Sequence, residues 1–234
     1  MRAVKYWVIV AAAGIGSRME LPTTTPKQYL VVQGKPVIAH TLDCLLTLPL
    51  FEKIITVIHP HDQHWQHLPY AQHEKILTTQ GGAERCHSVL NGLKRLQELA
   101  DPLDWVLVHD AARPCLDIAD VKKLITQLEQ HPVGGLLGVR IRDTVKRVAK
   151  DGNITDTLDR SELWCAQSPQ MFRYEVLNNA LQQTLHHQQL VTDEASAIEL
   201  AGLTPVMVEG QQSNLKVTSQ ADLPLAEFYL SGRH

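Results

Sequence analysis

Near its amino terminus the chain reads Tyr6-Trp7-Val8-Ile9-Val10-Ala11-Ala12-Ala13-Gly14-Ile15-Gly16-Ser17-Arg18. The continuous apolar run over residues 6–12 is typical of a strand that is buried on both faces of a sheet. The small residues and glycines after it let backbone N–H groups approach a ligand, and successive N–H groups in a glycine turn bind anions. We therefore predict a buried first strand followed by an anion-binding loop.

Four further short apolar runs follow, at residues 53–58, 75–79, 104–109 and 135–141. Helical patterns separate several of them, notably over residues 89–100 and 118–128, and Asp117 is the expected N-cap of the second. Strands that alternate with helices imply right-handed crossovers and a mainly parallel, Rossmann-like α/β sheet flanked by helices. In such a sheet the ligand binds outside the carboxyl ends of the strands, so the loops there are the candidate functional segments.

The later part of the chain returns to the same pattern after one interruption. Between residues 140 and 160, β-branched and charged residues flank an Asp151-Gly152-Asn153 turn, which predicts a projecting β-hairpin arm. The arm has few large apolar residues and is not stable alone, so we expect it to pack on a second copy of the chain. Helices near residues 173–185, 192–201 and 221–230 and a strand near 205–208 complete a single domain over residues 1–234.

Composition and charge narrow the class of protein. The 234 residues are 44% hydrophobic and 20% charged, which is enough to bury a core, and the formal net charge is −3. Such a balance offers no global positive field for a nucleic acid or an anionic membrane. Four distant cysteines with no C-x-x-C pair disfavour a disulfide framework and a zinc site built on such pairs. We therefore predict a cytoplasmic protein with neither a nucleic-acid partner nor a membrane partner.

The amino terminus also imitates a signal peptide, because Arg2 and Lys5 precede the apolar run. Cleavage would remove the best strand candidate, so the buried strand is the better interpretation.

The glycine loop fits neither of the common nucleotide-binding fingerprints. Met19 stands where a dinucleotide-binding loop has its third glycine, and no Gly-Lys-Ser/Thr follows as in a P-loop. The loop does have two cations, Arg18 and Lys27. A basic loop of this kind suits a nucleoside triphosphate, although a tight turn with two solvated charges is the simpler structural alternative.

Short motifs recur along nearly the whole chain: Pro26-Lys27-Gln28-Tyr29, Gly81-Gly82, Glu84-Arg85, His109-Asp110-Ala111-Ala112-Arg113-Pro114, Arg142-Asp143-Thr144, Asp159-Arg160, Pro169-Gln170, Thr192-Asp193-Glu194-Ala195-Ser196 and Asn214-Leu215-Lys216-Val217-Thr218. Together with the glycine loop they resemble the cytidylyltransferases that act on 2-C-methyl-D-erythritol 4-phosphate in non-mevalonate isoprenoid biosynthesis. The resemblance implies a nucleotidyltransferase fold, a homodimer, and Mg²⁺ as cofactor of a reaction between that alcohol phosphate and CTP.

The resemblance also implies roles for individual residues. Transition-state stabilisation falls to Arg18 and Lys27, and nucleotide binding to Ala12, Ala13, Gly14, Gly16, Gly82 and Ser88. Substrate binding falls to Arg160, Lys216, Asp110, Arg113, Thr144 and Thr192, with Arg160 and Lys216 gripping the phosphate and Asp110 also near Mg²⁺. Two of these residues have structural alternatives, since Asp110 and Thr192 are residue types that cap helices.

Two other functions stay open at this point. One is a cytidylyltransferase for ribitol 5-phosphate, against which Ala112 stands, and the other is a non-catalytic nucleotide-binding or dinucleotide-dependent module. The segment between Arg18 and Lys27 is longer than the resemblance leads us to expect. A histidine cluster, His59, His61, His64 and His67, is interpreted as the solvated face of a helix after the second strand rather than as a metal site.

Overall fold

A computed structural model of the chain describes residues 2–14, 25–189 and 191–232. The strands are β1 (Tyr6–Ala12), β2 (Val31–Val32), β3 (Lys35–Pro36), β4 (Phe51–Ile58), β5 (Ile76–Gln80), β6 (Trp105–Asp110), β7 (Gly134–Arg140), β8 (Val145–Val148), β9 (Ile154–Leu158), β10 (Trp164–Arg173) and β11 (Val206–Glu209). The α-helices are α1 (Val37–Leu46), α2 (Arg85–Leu96), α3 (Ile118–Leu128), α4 (Tyr174–His186), α5 (Glu194–Leu200) and α6 (Asp222–Ser231).

Seven of the strands form one sheet in the order β11-β7-β10-β6-β1-β4-β5. The pairs β1/β4, β1/β6, β4/β5 and β7/β11 are parallel, whereas β10 runs antiparallel to both of its neighbours, β6 and β7. The predicted mainly parallel α/β sheet is therefore confirmed. The sequence patterns did not identify β10, which lies in the middle of the sheet.

Strand β1 shows why the sheet is buried on both faces. Val8 and Val10 belong to one apolar cluster, and Trp7 and Ile9 belong to the other, on the opposite face. Alternate residues of a strand point to opposite faces, so a strand with cores on both sides has to be apolar throughout. Helices α1 and α3 contribute to the first cluster, and α2, α4 and α5 contribute to the second.

Helix α2 packs especially close to β1. A Cβ added to Gly92 on α2 would lie 2.8 Å from Cγ2 of Ile9. Because Gly92 has no side chain, α2 can pack this close to β1. The loop before α2 is thereby brought near the end of β1.

The interruption between residues 140 and 160 is the predicted hairpin. Strands β8 and β9 pair antiparallel and form a separate two-stranded sheet. Gly152 at the turn has φ +88°, a backbone conformation that glycine adopts without strain. Val148 and Ile154 on this arm have 52% and 64% of their surface exposed, respectively.

The structure also corrects the expected helix after the second strand of the main sheet. The segment that follows β4 holds two short 3₁₀ turns, Trp65–His67 and Pro69–Gln72, and no α-helix precedes β5 in this fully described stretch. Among the residues that the structure describes, no helix has the length and apolarity needed to cross a membrane.

Candidate active site

A cavity of about 460 Å³ opens at the carboxyl ends of the central strands. The register pairs Ala12 with Ile58 and Ala11 with Asp110, so β1, β4 and β6 end at the same level of the sheet. Eight of the predicted site residues line the cavity: Ala12, Ala13, Gly14, Lys27, Gly82, Ser88, Asp110 and Lys216. The topology thus brings together residues that are far apart in the sequence, at the edge where an α/β sheet binds its ligands.

One wall of the cavity is made of small residues from three segments. The backbone N–H of Gly82 donates to Oγ of Ser88 at 3.1 Å, and this hydroxyl donates to the carbonyl oxygen of Glu84 at 3.2 Å. A Cβ on Gly81 would lie only 2.3 Å from Cβ of Ala13 and 2.8 Å from Oγ of Ser88. The loop after β5 therefore lies directly against the end of β1, so that backbone and small side chains form this wall.

Lys27 reaches the cavity from the 3₁₀ turn Lys27–Tyr29. The next residue, Gln28, is buried, and its side-chain amide donates to the carbonyl oxygen of Ala12 at 2.8 Å. This bond fixes the turn to the end of β1. Lys27 is therefore held close to the end of β1 by its neighbour Gln28, which also lines the cavity.

Asp110, the last residue of β6, is the centre of the charged part of the site. Its Oδ1 accepts a hydrogen bond from Nε of Arg85 at 3.0 Å, and its Oδ2 lies 2.7 Å from Nζ of Lys216 and 3.9 Å from Nε of Arg113. Burial would raise the pKa of this carboxyl, but Arg85, Lys216 and Arg113 together hold the pKa well below its usual range. Asp110 is therefore a strand-end carboxylate that stays ionised, and the helix-cap interpretation is wrong.

Arg85 connects Asp110 to a second carboxylate. Its two terminal nitrogens donate hydrogen bonds to the two carboxylate oxygens of Glu194, at 2.5 and 3.0 Å. Glu194 is completely buried. Arg85 lines the cavity and Glu194 does not.

His109 and Ser168 stabilise the loop after β6 through hydrogen bonds. The backbone N–H of Asp110 donates to Oγ of Ser168 at 3.0 Å, and that hydroxyl lies 3.0 Å from Nδ1 of His109. Nε2 of His109 lies 3.4 Å from the carbonyl oxygen of Arg113. Burial lowers the pKa of His109 from 6.5 to about 4, so the ring is neutral near pH 7 and links both ends of the loop.

The comparisons with known proteins agree along almost the whole chain. A profile of the 2-C-methyl-D-erythritol 4-phosphate cytidylyltransferase family matches residues 6–232. The chain belongs to this family. A member from Hahella chejuensis is 47% identical over 230 residues, covering 98% of this chain and 95% of the relative, and one from Pseudomonas aeruginosa is 48% identical over 219 residues, covering 93% of each.

Solved structures of cytidylyltransferases of this family have the same architecture. The enzyme from Francisella tularensis superposes with a TM-score of 0.83 at 38% identity, covering 96% of this chain and 99% of its own. A structure of 4-diphosphocytidyl-2C-methyl-D-erythritol synthase gives a TM-score of 0.84 at 33% identity, covering 98% and 100%. The resemblance noted from the motifs is thereby confirmed, together with the fold and the enzyme class.

Not every residue predicted from the cytidylyltransferase motifs lies at the cavity. Arg113 lies beside it, where its guanidinium donates to the carbonyl oxygen of Asn214 at 2.6 Å. Thr144 and Arg160 belong to the exposed arm region, and the Arg160 guanidinium bonds the carbonyl oxygen of Arg142. Within one chain, therefore, the predicted pair of Arg160 and Lys216 is not assembled.

Thr192 is exposed and does not line the cavity. The N-cap of α5 is Asp193, whose side chain accepts a hydrogen bond from the backbone N–H of Ser196, so Thr192 as the N-cap is wrong by one residue. Two other predicted residues, Gly16 and Arg18, lie outside the described residues.

Two residues of the histidine cluster make contacts within the protein. Nδ1 of His59 accepts a hydrogen bond from the backbone N–H of His61, and the ring of His64 packs against Tyr29 at 4.8 Å between centroids. Over residues 2–14, 25–189 and 191–232, no group of three or more His, Cys, Asp or Glu side chains is placed to hold a metal ion.

The sequence motifs contain further site residues to which no role was given. Arg85 and Glu194 lie in two of the quoted motifs, 109 positions apart, and Gln28 directly follows Lys27. The available signal was the charge of these two residues within the motifs. The pairing itself depends on tertiary structure, in which α4 packs against both α2 and α5, and is invisible in the sequence.

Proposed function

We propose that this chain transfers the cytidylyl group of CTP to the phosphate of 2-C-methyl-D-erythritol 4-phosphate and releases pyrophosphate. An oxygen of the alcohol phosphate forms a bond to the α-phosphorus of CTP, while the bond from that phosphorus to the oxygen of the leaving pyrophosphate breaks. The observation that carries the proposal is the cavity at the strand ends with Lys27 and Lys216 in its lining, in a chain of this family. Both reactants are anions, so their alignment and the neutralisation of their charge are the main demands on the protein.

The wall formed by Gly82, Ser88 and Ala13 suits the base and ribose of the nucleotide. Backbone groups and one hydroxyl there offer the donors and acceptors that read the edge of a pyrimidine. Because a Cβ on Gly81 would lie 2.3 Å from Cβ of Ala13, the loop after β5 can approach the end of β1 this closely only with glycine at position 81.

The triphosphate belongs at the glycine loop, next to Lys27. The backbone N–H groups of Ala13 and Gly14 and the ammonium of Lys27, all in residues that line the cavity, can stabilise negative charge on the equatorial oxygens of the α-phosphate. Arg18 has the same assignment by its place in the motif. No side chain needs to form a covalent bond or to accept a proton from the phosphate nucleophile, which is already an anion.

Asp110 supplies the carboxylate expected beside a divalent cation. Mg²⁺ in nucleotide sites keeps several waters and is held by one or two carboxylates plus phosphate oxygens, so a single ionised Asp110 fits that ion without a protein cage. Bound there with the triphosphate, Mg²⁺ would neutralise charge that develops on the phosphate oxygens. Asp110 would also hold Lys216 in place until the alcohol phosphate arrives.

The arm provides the residues that one chain lacks at its cavity. We propose a homodimer in which the hairpin of one chain packs on its partner and brings Arg160 and Thr144 to the partner's cavity. The exposed Val148 and Ile154 offer the apolar surface for that contact. Arg160 suits the grip on a phosphate because its planar guanidinium binds two oxygens at once.

We further propose that the enzyme works in the cytoplasm. Its substrates are phosphorylated metabolites, and its exposed Cys165 carries a free thiol that a reducing compartment would preserve.

A matrix of four nucleoside triphosphates against two alcohol phosphates tests the function. The proposal expects pyrophosphate release with CTP and 2-C-methyl-D-erythritol 4-phosphate, and little with UTP, ATP or GTP or with ribitol 5-phosphate. Efficient turnover of ribitol 5-phosphate, or nucleotide binding without any release of pyrophosphate, would refute it.

A further inference from the structure

Glu194 is a buried carboxylate that stands just behind the active site. It is the first residue of α5, has no exposed surface, and does not line the cavity. Arg85, at the start of α2, lies between Glu194 and Asp110 and contacts both carboxylates. Glu194, Arg85, Asp110 and Lys216 thus form one continuous chain of alternating charge that ends in the cavity.

The way in which Arg85 divides its donors is specific. Both terminal nitrogens are directed to the two oxygens of Glu194, at 2.5 and 3.0 Å, and only Nε faces Oδ1 of Asp110, at 3.0 Å. A guanidinium binds a carboxylate with two parallel bonds wherever it can. Without Glu194, the terminal nitrogens would have Asp110 as their nearest carboxylate and would compete with Lys216 for Oδ2.

We infer that Glu194 is a positioning residue that acts through Arg85. By occupying both terminal nitrogens of Arg85, it confines Arg85 to one oxygen of Asp110 and leaves the other oxygen to Lys216, which is thereby held at the cavity for the substrate phosphate. This inference rests on the proposed function, because it assigns to Asp110 and Lys216 the handling of the phosphorylated substrates. Glu194 itself touches neither substrate.

The start of α5 does not need Glu194 for its own stability. Asp193 caps the helix and forms a capping box with Ser196. Gln170 ties the same turn to β10, since its amide donates to Asp193 at 2.8 Å and its oxygen accepts from the N–H of Ala195 at 2.8 Å. A carboxylate at position 194 is therefore explained by its contact with Arg85.

A double-mutant cycle separates positioning from simple stability. Glu194→Gln keeps the size of the side chain and removes its charge, and Lys216→Met removes the cation at the other end of the chain of charges. Glu199→Gln, on the exposed side of the same helix, is the matched control. We expect Glu194→Gln to lower kcat/KM for the alcohol phosphate roughly 10- to 100-fold, since small displacements of reacting groups have effects of that size. The control should stay near the wild-type value.

Glu194 and Lys216 do not touch, so the coupling between them is the informative quantity. If Glu194 acts through Arg85 and Asp110, the double variant should be no more than about threefold worse than Lys216→Met alone, because independent sites would give additive free energies. The inference would be overturned if the fold-losses in kcat/KM of the two single variants multiplied in the double variant. It would also be overturned if Glu194→Gln kept the wild-type kcat/KM. Thermal unfolding shows whether Glu194→Gln is folded. If it is not, Glu194→Asp, which keeps the charge on a shorter side chain, replaces it in the same cycle, and the same two outcomes decide.

A spectroscopic measurement tests the geometry without turnover. The Nε–H resonance of Arg85, assigned by its loss in Arg85→Lys, should shift in Glu194→Gln and stay in place in Glu199→Gln. An unchanged resonance in Glu194→Gln would contradict the inference even if activity fell. A wild-type protein that forms no product from CTP and the alcohol phosphate would instead refute the proposed function, and the resonance would still decide the role of Glu194.

Discussion

Nζ of Lys216 lies 2.7 Å from Oδ2 of Asp110, although the two residues are separated by more than a hundred positions in the chain. The pair holds a cation at the mouth of the cavity, with Arg85 on the other oxygen of the same carboxylate. If Lys216 binds the substrate phosphate as proposed, that phosphate replaces Asp110 as its partner. The ion pair would then keep Lys216 in position before the substrate binds and reduce the entropy that binding has to overcome.

Removing the cation of this pair should weaken the binding of the alcohol phosphate. For Lys216→Met we expect KM for that substrate to rise at least about tenfold, since a charge-assisted bond to phosphate contributes roughly 1.5–3 kcal/mol. KM for CTP should change much less. Initial rates of pyrophosphate release over a range of each substrate measure both values.

Lys122→Met is the matched control, because Lys122 is exposed on α3 and is not part of the cavity lining. An unchanged KM for the alcohol phosphate in Lys216→Met would remove Lys216 from the substrate site.

Lys27 is the second cation to test, and its expected signature is different. Because it is assigned to charge that develops in the transition state, Lys27→Ala should lower kcat on the order of 10²- to 10³-fold while KM for CTP changes little. Lys35→Ala is the control, since Lys35 is an exposed lysine paired with Asp43. A Lys27→Ala enzyme that keeps the wild-type kcat would contradict the mechanism.

The strands and helices of the main body could be predicted where the local sequence pattern favours the same structure that the tertiary packing requires. The run Tyr6–Ala12 is apolar at every position because both faces of β1 are buried, and its predicted limits agree with the structure. Asp117 caps α3 as expected, by accepting a hydrogen bond from the N–H of Ala119. In both cases a few neighbouring residues hold the whole signal.

Strand β10 was not predicted because its sequence has neither a continuous apolar run nor a regular alternation of apolar and polar residues. Trp164–Arg173 mixes polar residues with a proline, yet Gln167, Ser168 and Gln170 are buried. Tertiary packing supplies partners for these side chains: Asp193 for Gln170, His109 for Ser168 and the carbonyl oxygen of Gln211 for the amide nitrogen of Gln167. The same reason hid the contact between Arg85 and Glu194, because polar residues with distant partners resemble surface residues in the sequence.

His109 makes the stability of the protein depend on pH. Burial lowers its pKa in the folded state to about 4, compared with 6.5 when unfolded, so the unfolded chain binds the proton more tightly between these two values. The free energy of unfolding should therefore fall as the pH drops from 7 to 4.5, with a contribution from His109 of about 2–3 kcal/mol. Urea unfolding at the two pH values measures the total change.

A variant isolates the contribution of His109, because carboxylates titrate over the same range. His109→Gln lacks the titrating ring, so its loss of stability between pH 7 and 4.5 should be smaller than that of the wild type by this amount. His186→Gln, at an exposed position near the end of α4, should behave as the wild type does. Equal pH dependence in wild type and His109→Gln would show that the buried ring does not control this range.

The proposed contact between the arm of one copy and the cavity of a second copy can be tested by complementation. If each active site combines Lys27 of one chain with Arg160 of the other, Lys27→Ala and Arg160→Ala proteins should each be nearly inactive, yet restore activity when their subunits are exchanged. An equal mixture should recover about one quarter of the wild-type activity, because half of the dimers are mixed and each mixed dimer has one intact site. Subunits carrying different purification tags allow the mixed dimer to be isolated and assayed directly.

The apolar contact of the arm supplies the control for this experiment. Val148→Asp combined with Ile154→Asp places charge on the exposed apolar residues of the hairpin and should prevent dimerisation, as measured by analytical ultracentrifugation. The same double change in both partners should abolish the recovery of activity. If a mixed dimer recovers no activity, or if the monomeric variant turns over as fast as the wild type, the site is complete within one chain and Arg160 has a structural role in the arm.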